Sequence, residues 1–245
     1  MEQVLENMRN IIRGGGNIVV LAGMNITYDI GLNGVVAEHI AYDVEQKYGY
    51  SNDEIASSLF YARRADLFYR YYKDVILNIE NPEPSSIHYG IYRLQQCGKL
   101  SAVVTRSVYS LYSKVGCSNV IQLYGSVDEN VCPRCKRKYD SGYIKHSKGI
   151  PVCEHCQLPL RPGFSLIGET LDNGKISRAS NAVENASILL VIGASINSTL
   201  CRYMVKYYKG DKLLLLNDRE KVGDDRANYR AYGNIREMFA QVMDF

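Results

Sequence analysis

The sequence predicts an α/β fold: a Rossmann-like, doubly wound parallel sheet with an inserted small domain made of helices and a four-cysteine zinc ribbon. Three observations predict it. Short apolar segments of strand length alternate with helical segments, which is the pattern of a parallel sheet. Two stretches, 36–80 and 131–160, interrupt that alternation. The second stretch carries two C-x-x-C pairs, a spacing typical of zinc ligands.

Each strand is predicted where β-branched and aliphatic residues run together between turn residues. The predicted strands are 17–21, 100–105, 119–124, 187–193, 212–217 and 228–231. Helices are predicted between them where apolar residues recur at helical spacing, with a further short helix after the second strand. The predicted helices are 3–13, 36–48, 52–80, 87–97, 176–185, 197–208 and 234–243. Four of the 20 tyrosines fall within 59–77 at helical spacing, where we expect an aromatic face packed in a core.

These elements predict a domain organisation. Residues 1–35, 81–130 and 161–245 are expected to form the Rossmann-like domain. Residues 36–80 are expected to form a helical insertion, and residues 131–160 the ribbon. Ligands of such sheets bind at the carboxyl ends of the strands, so the loops that follow the strands are the candidate site.

Composition and charge exclude several classes of protein. The chain has 245 residues, 46% hydrophobic and 22% charged, so it can bury a large core. A net charge of +3 is too small to favour nucleic acid as a partner. No apolar run approaches the roughly 20 residues of a membrane span, and the beginning does not resemble a secretory signal. We therefore expect a cytoplasmic protein with no membrane or nucleic-acid partner, and the oligomeric state stays open.

The cysteine pairs predict a structural metal site. Each C-x-x-C turn can direct two thiolates at one ion, and the two pairs are separated by 17 residues. Four thiolates complete a tetrahedron and leave no position for a catalytic water, so zinc is expected to be structural. The predicted ligands are Cys132, Cys135, Cys153 and Cys156. The other three cysteines have no partner at useful spacing, and we expect them to be buried small hydrophobes: Cys97, Cys117 and Cys201.

Several segments at strand ends, taken in order around the cysteines, resemble those of the sirtuins, a family of NAD-dependent protein deacylases. The resemblance covers nearly the whole chain, although no segment is specific alone. The segments are GMNIT (23–27), TRSVY (105–109), LYGS (123–126), RPGFSLIGE (161–169), IGASINS (192–198), LLLLN (213–217) and GNI (233–235).

The resemblance implies an enzyme that uses NAD to remove an acyl group from lysine in an acylated protein or peptide. In that family the acyl oxygen attacks the ribose carbon that bears nicotinamide, and nicotinamide leaves. A histidine base then activates a ribose hydroxyl, which attacks the resulting imidate. ADP-ribosyl transfer is a related outcome. The resemblance also implies a peptide groove in which backbone groups add the substrate as a strand. Its implied residues are Phe164, Ser165, Ile167, Gly168, Glu169 and Ser198.

The adenosine half of the implied NAD site is retained. It comprises a small-residue loop for the ribose and phosphates, an amide for the ribose hydroxyls and a turn beside the adenine. The implied cofactor-binding residues of this half are Ala22, Gly23, Met24, Thr27, Gly193, Ala194, Ser195, Asn217, Gly233, Asn234 and Ile235.

The nicotinamide half is altered. Asn33-Gly34-Val35-Val36 stands where the family has PDFR, so the aromatic shield and the arginine are absent. The segment from Thr105 keeps its threonine, but Arg106 replaces a glutamine and Ser107 an asparagine. Tyr109 replaces the aspartate that holds the nicotinamide amide. All four residues are implied to contact the cofactor.

Tyr124 stands at the position of the family's histidine base, and we assign the catalytic positions to Tyr124 and Ser107. A tyrosine with a pKa of about 10 is only about 0.1% ionised at pH 7, roughly 4 kcal/mol short of the phenolate. A nearby Arg106 would favour the phenolate. Of the four histidines, His39 follows the altered loop and could turn into the site. Alternatively, Tyr124 only packs the rim of the pocket. A single introduced substitution would account for Tyr124 but not for the other altered loops.

Three interpretations compete. The first is an NAD-dependent deacylase, or ADP-ribosyl transferase, that is impaired or inactive because of Tyr124. The second is a non-catalytic sensor or scaffold that binds NAD or ADP-ribose. The third, an ordinary dinucleotide oxidoreductase, is disfavoured because the first turn, LAGMNIT, lacks G-x-G-x-x-G and no acidic ribose partner follows.

Overall fold

The computed structural model describes residues 1–36 and 38–244. Ala37, which falls in the predicted helix 36–48, and Phe245 lie outside the described residues. The strands are β1 (Ile18–Ala22), β2 (Leu100–Thr105), β3 (Val120–Gln122), β4 (Asn130–Val131), β5 (Lys138–Tyr139), β6 (Ile188–Ile192), β7 (Leu213–Asn217) and β8 (Tyr229–Tyr232). Six of them form one parallel sheet in the order β3-β2-β1-β6-β7-β8, and β4 pairs antiparallel with β5.

The helices are α1 (Glu2–Arg13), α2 (Met24–Tyr28), α3 (Ala41–Tyr48), α4 (Asn52–Ile55), α5 (Ser58–Arg63), α6 (Ala65–Tyr71), α7 (Ser86–Gln96), α8 (Leu111–Lys114), α9 (Ser141–His146), α10 (Asn173–Glu184), α11 (Thr199–Met204) and α12 (Ile235–Val242). Short 3₁₀ turns span Glu38–Ile40, Val205–Tyr207 and Asp224–Arg226, and a π-helical turn spans Tyr72–Ile76.

The sheet is buried on both faces, which confirms the predicted doubly wound fold. Every residue of β1, β6 and β7 is buried, because helices cover both sides of a parallel sheet. Along β1, Ile18 and Val20 pack with α1, α7 and α12, whereas Val19 and Leu21 pack with α10 and α11. The alternation of side chains along a strand therefore divides the apolar runs between two cores.

Serine caps begin the first two helices of the stretch that was predicted for 52–80, and the second of these caps divides the stretch. The Ser51 hydroxyl accepts the Glu54 N–H at 3.3 Å and begins α4, and the Ser57 hydroxyl accepts the Phe60 N–H at 3.1 Å and begins α5. Each cap satisfies N–H groups that a helix start leaves without partners, so the chain restarts instead of continuing as one helix. The helix predicted for 197–208 is similarly shorter and ends in a 3₁₀ turn.

The tyrosine-rich stretch is a packed core, as predicted. Phe68, Tyr69, Tyr71 and Tyr72 have no exposed surface. They belong to a second hydrophobic core that also contains the ribbon thiols Cys132 and Cys153. A core shared by the helical stretch and the ribbon is consistent with residues 36–80 and 131–160 being insertions, and the domain boundaries themselves remain a prediction.

Two further observations bear on expectations from the sequence. Cys117 and Cys201 are buried, but Cys97 is exposed, so the prediction that it is a buried hydrophobe is wrong. It follows the last turn of α7 and precedes Gly98, whose φ of 69° ends the helix at the surface. Among the described residues, no helix is long and apolar enough to cross a membrane.

Candidate functional site

A cleft of about 1440 Å³ opens at the carboxyl ends of the parallel strands. Strands β1 and β6 lie side by side although they are far apart in sequence, so the strand order reverses between them. Loops leave the sheet in opposite directions at such a switch point and open a crevice between them. The cleft is lined by the loops after β1, β2, β6 and β7 and by residues 165–169.

Gly23 allows the loops after β1 and β6 to meet. A Cβ atom on this residue would lie 2.1 Å from the Gly193 carbonyl oxygen and 2.4 Å from the Ala194 Cβ. The Gly23 N–H donates to the Ile192 carbonyl at 2.8 Å, so the first loop is tied to the end of β6. Only glycine permits this close approach, and the floor of the cleft is therefore bare backbone.

Asn217 ends β7 and is 1% exposed, yet it lines the cleft. Its Oδ1 atom accepts a hydrogen bond from Asn25 Nδ2 at 3.2 Å, and the same Asn25 amide donates to Asp218 Oδ1 at 3.0 Å. The Asn217 side chain is thus held in one orientation at the strand end.

Asp224 organises the loop after β6 and was not found from the sequence. Its Oδ1 atom accepts hydrogen bonds from the Ser195 hydroxyl at 2.9 Å and the Ile196 N–H at 2.8 Å. Its Oδ2 atom accepts from the Lys221 N–H at 2.9 Å. The carboxylate is fully buried and joins two loops that border the cleft. An aspartate within a short 3₁₀ turn carries no sequence pattern that would have identified it.

Tyr124 lies in a turn just beyond β3 and lines the cleft. The strand ends at Gln122, earlier than predicted, because the Gly125 N–H turns back to the Gln122 carbonyl at 3.1 Å. Gly125 has a φ of 83°, and a Cβ on it would lie 2.3 Å from the Gly163 carbonyl oxygen. The guanidinium carbon of Arg106 lies over the Tyr124 ring, 4.9 Å from its centroid. The two side chains therefore contact each other in the lining of the cleft.

Three other predicted residues of the nicotinamide half are used within the fold. The Tyr109 hydroxyl donates to the Asn33 carbonyl at 2.7 Å and contacts the Ile76 carbonyl, and burial raises the pKa of this phenol. The Ser107 hydroxyl accepts from the Thr27 hydroxyl at 3.2 Å. The Thr105 hydroxyl donates to the Ala22 carbonyl at 3.0 Å.

The structure brings most of the predicted site residues to the cleft. Those that line it are Gly23, Met24, Arg106, Tyr124, Ser165, Ile167, Gly168, Glu169, Gly193, Ala194, Ser195, Asn217 and Ser198. Within 1–36 and 38–244, the predicted residues that do not line it are Ala22, Thr27, Thr105, Ser107, Tyr109, Phe164, Gly233, Asn234 and Ile235. The Asn234 side chain instead caps α12, where its Oδ1 atom accepts from the Arg236 N–H at 3.1 Å.

Within the part of the chain that the structure describes, one histidine lines the cleft. His39 packs its ring against the edge of Tyr28, with 5.3 Å between the ring centroids, and its Nε2 atom lies 3.1 Å from Asn33 Oδ1. It was the histidine that we expected could turn into the site.

The segment that was predicted to form a peptide groove is hydrogen-bonded through its backbone to neighbouring segments on both sides. The Ile167 N–H donates to the Ala56 carbonyl at 2.9 Å, and its carbonyl accepts from the Ser58 N–H at 2.9 Å. The Ser165 N–H donates to the Tyr124 carbonyl at 2.8 Å. Residues 165–167 therefore already pair with two neighbouring segments, and the Ile167 side chain is 41% exposed beside the cleft.

Four thiols converge away from the cleft. The Sγ atoms of Cys132, Cys135, Cys153 and Cys156 all lie within 4.8 Å of one another. Both C-x-x-C turns have the same construction, since the first cysteine carbonyl of each accepts the N–H of the residue after the second cysteine. Those following residues, Lys136 and Gln157, have φ values of 61° and 57°. The repeated geometry and the set of four soft donors fit a tetrahedral zinc ion.

Tyr139 prepares one of these thiols as a metal ligand. Its hydroxyl donates to the Cys153 Sγ atom at 3.2 Å. This hydrogen bond lowers the pKa of the Cys153 thiol to about 6, which favours the thiolate that zinc requires.

These features define a Rossmann-like α/β protein with a strand-end cleft and a cysteine ribbon, and the comparisons give its family. Residues 33–199 match the Sir2 family. An NAD-dependent protein deacetylase of Clostridium perfringens is 27% identical over all of this chain and all of that protein. One of Clostridium tetani is 29% identical over 98% of this chain and 97% of that protein. A structure of Sir2 with p53 peptide and NAD⁺ is similar with a TM-score of 0.75 and 25% identity, over 98% of this chain and 95% of the other. The chain belongs to the Sir2 family, which confirms the resemblance to sirtuins at the level of the family.

Proposed function

We propose that the cleft binds NAD and that this chain is an NAD-dependent protein lysine deacylase slowed at its second chemical step. The observation that carries the proposal is Tyr124, a phenol at the cleft in the position where the family's sequence pattern has its histidine base. The deacetylases of the two clostridia are similar to this chain along nearly all of their length, which supports the substrate class. Acylated lysine in a protein or peptide is the proposed second substrate.

The adenosine half of NAD would lie over the loops after β6 and β7. Gly193, Ala194 and Ser195 offer small side chains and backbone groups, and the buried Asp224 holds that loop in place. Asn217 would bind the ribose hydroxyls through its constrained amide. Gly23 closes the floor where the pyrophosphate would pass. The close approach of the loops after β1 and β6 at Gly23 supports this placement, because a side chain at this position would occupy the space proposed for the pyrophosphate.

The reacting end would be defined by Tyr124 and Arg106. A phenol is in general a weaker general base than an imidazole at neutral pH, so activation of the ribose hydroxyl would be slow. Loss of nicotinamide depends more on positioning and charge than on this base. We therefore expect the rate of nicotinamide release to be reduced less than the rate of deacylation in this chain. ADP-ribosyl transfer to a competing acceptor is the related outcome.

A second candidate function is a sensor or scaffold that binds NAD or ADP-ribose without turnover. The observation that favours it is the placement of Tyr109 and Ser107. Both hydroxyls are bonded within the fold, to Asn33 and to Thr27, so neither is directed at the cleft. A site without these groups would hold the nicotinamide ring loosely.

Titration calorimetry with NAD and with ADP-ribose tests the binding that both functions require. We expect both ligands to bind, and Asn217→Ala to weaken each by about tenfold, since a buried polar contact to the ligand is lost. Asn181→Ala is the control, because Asn181 is exposed on α10 and lies outside the cleft lining. Failure of both ligands to bind the wild-type chain would contradict both candidate functions.

A further inference from the structure

Helix α11 carries an exposed stripe of basic and aromatic side chains that begins at the cleft. Its first residue, Thr199, is exposed and lines the cleft. Arg202 and Tyr203 follow three and four residues later, and Lys206 follows after seven, in the 3₁₀ turn that continues the helix. Residues at this spacing share one face of a helix. We call Arg202, Tyr203 and Lys206, which are all exposed, the α11 stripe.

The fold does not need the α11 stripe to hold the helix in place. The other face of the helix supplies Cys201, Met204 and Val205, which are buried in the core beneath β6 and β7. The Tyr203 side chain is 52% exposed although it is large and aromatic. The stripe is therefore a surface available to a partner.

One ring positions both cations of the α11 stripe. The guanidinium carbon of Arg202 lies 5.1 Å from the centroid of the Tyr203 ring, and the Lys206 Nζ atom lies 5.7 Å from the same centroid. Cation–π contacts of this kind restrict two long side chains that would otherwise be mobile. An anion that binds between them therefore orders less of the surface and also relieves the repulsion between two like charges.

The surrounding chain supplies no carboxylate to these cations. Residues 196–210 contain three basic residues and no aspartate or glutamate. The third of them, Lys209, pairs with Glu184 at the neighbouring helix α10. Neither Arg202 nor Lys206 takes part in an ion pair within residues 1–36 and 38–244. The α11 stripe is thus complementary in charge to an acidic partner.

We infer that the α11 stripe is an exosite that binds acidic residues near the acyl-lysine of the protein substrate. Ser198 and Thr199 line the cleft, so the stripe continues directly from the proposed peptide groove. From Thr199 to Lys206 the helix rises about 10 Å, which equals roughly three residues of extended chain. Acidic side chains about three to five residues from the acyl-lysine reach the stripe. The inference rests on the proposed function, because the groove must hold the acyl-lysine.

A peptide suits the α11 stripe better than a nucleic acid does. Proteins that bind single strands combine a long positively charged groove with free aromatic faces on which bases stack. Here the Tyr203 ring is already in contact with Arg202 and Lys206, and the stripe is short. The net charge of +3 is also small for a nucleic-acid-binding chain.

Peptides that differ only in charge test the exosite. Fluorescence anisotropy compares an acetyl-lysine peptide that carries two glutamates with the same peptide that carries two glutamines. One series places the pair three to five positions before the acetyl-lysine, and a second series places it after. We expect the glutamate peptide to bind about three- to tenfold more tightly in at least one series. The preference should weaken as salt is added, because the charges are exposed.

Substitutions in the α11 stripe then attribute the preference. The double variant Arg202→Gln/Lys206→Gln is expected to abolish it and to leave binding of the glutamine peptide unchanged. Tyr203→Phe should keep it and Tyr203→Ala should reduce it, because the ring positions the two cations. Arg13→Gln/Lys148→Gln is the matched control, since it removes two exposed positive charges that lie outside the cleft lining. An unchanged melting temperature shows that each variant is folded.

The outcomes separate the exosite from the proposed function. A preference for glutamate that the double variant loses and the control keeps supports the exosite. Ratios near one in both series, or a preference that the double variant retains, overturn the inference while binding of the acetyl-lysine peptides still supports the proposed function. A single-stranded DNA oligonucleotide that binds through Arg202 and Lys206, without any preference for the glutamate peptides, also overturns it. Failure of every acetyl-lysine peptide to bind overturns both.

Discussion

At the scale of single residues, Asp224 shows how a buried charge can shape a binding loop. Its carboxylate accepts hydrogen bonds from Ser195, Ile196 and Lys221, so it holds the loop after β6 against the loop after β7. A buried carboxylate with three partners is satisfied, but the loss of its charge leaves those donors with weaker acceptors.

Asp224→Asn should therefore lower the free energy of unfolding by about 1–3 kcal/mol and weaken ADP-ribose binding. The amide can accept on one side only, so at least one of the three N–H or O–H donors loses its partner. Urea denaturation and calorimetry measure the two effects. Asp225→Asn is the control, because the Asp225 side chain is exposed; an equal effect of both substitutions would refute the role of Asp224.

His88 is a neutral buried cap whose protonation opposes folding. Its Nδ1 atom accepts the Ser85 N–H at 3.1 Å at the start of α7, and burial lowers the pKa of the imidazole to about 4. The unfolded chain has the ordinary value near 6.5 and binds the proton first as pH falls. The stabilisation is therefore complete above about pH 6.5 and is lost as pH falls through about 4.

His88→Gln should reduce the loss of stability between pH 6.5 and pH 4 by about 2–3 kcal/mol, because glutamine keeps the cap but does not titrate. Urea unfolding at several pH values measures the slope. The exposed His146 provides the matched variant, His146→Gln, which should leave the slope near that of the wild type. An unchanged slope in His88→Gln would show that His88 is not the responsible group.

At the scale of elements, the cysteine ribbon is expected to depend on its metal. Two turns of the same construction bring four thiols together, and the ribbon shares its core with the tyrosine-rich helices. Without the ion, several thiolates would repel one another in a small space, so loss of metal should loosen both parts.

Metal analysis of the purified protein should find one zinc per chain. Cys153→Ala should lose the zinc and lower the melting temperature, whereas Cys97→Ala should retain both, since Cys97 is exposed and outside the cluster. A structural site would be contradicted if the wild-type chain held clearly less than one zinc and Cys153→Ala had the same melting temperature as the wild type.

Elements of the sheet could be predicted because apolar runs such as IVVLA, ILLVI and LLLLN meet the one requirement of a strand buried on both faces. The cysteine cluster could equally be predicted from the sequence, since the spacing of the cysteines alone implies that the four thiols converge. Helix α2 was missed because five residues are too few for a periodic pattern. The direction of the Tyr109 side chain was not predictable, since it depends on carbonyls of Asn33 and Ile76 far away in sequence.

At the scale of the whole molecule, the site exists because the topology gathers distant segments. The loops after β1, β6 and β7 meet at the switch point, and Tyr124 reaches the same cleft from the far edge of the sheet. Sequence motifs located most of these loops, but only the fold shows that Arg106 stacks on Tyr124. Within residues 1–36 and 38–244, the buried Arg106 Nε atom has no hydrogen-bond partner. The proposed adenosine side and the proposed reacting side of the cleft would thus be built by different strands.

The central claim is that this chain keeps an NAD site and has lost the base for the second step. A single-turnover measurement of nicotinamide release and of deacylated peptide, with NAD and an acetyl-lysine peptide, tests it most directly. Tyr124→His should raise the rate of deacylated peptide by about 10²–10⁴-fold over the wild type, and nicotinamide release should rise much less. Tyr124→Phe, which keeps the ring and lacks the hydroxyl, should give no gain. If Tyr124→His forms deacylated peptide no faster than Tyr124→Phe while both still bind ADP-ribose, the claim is contradicted.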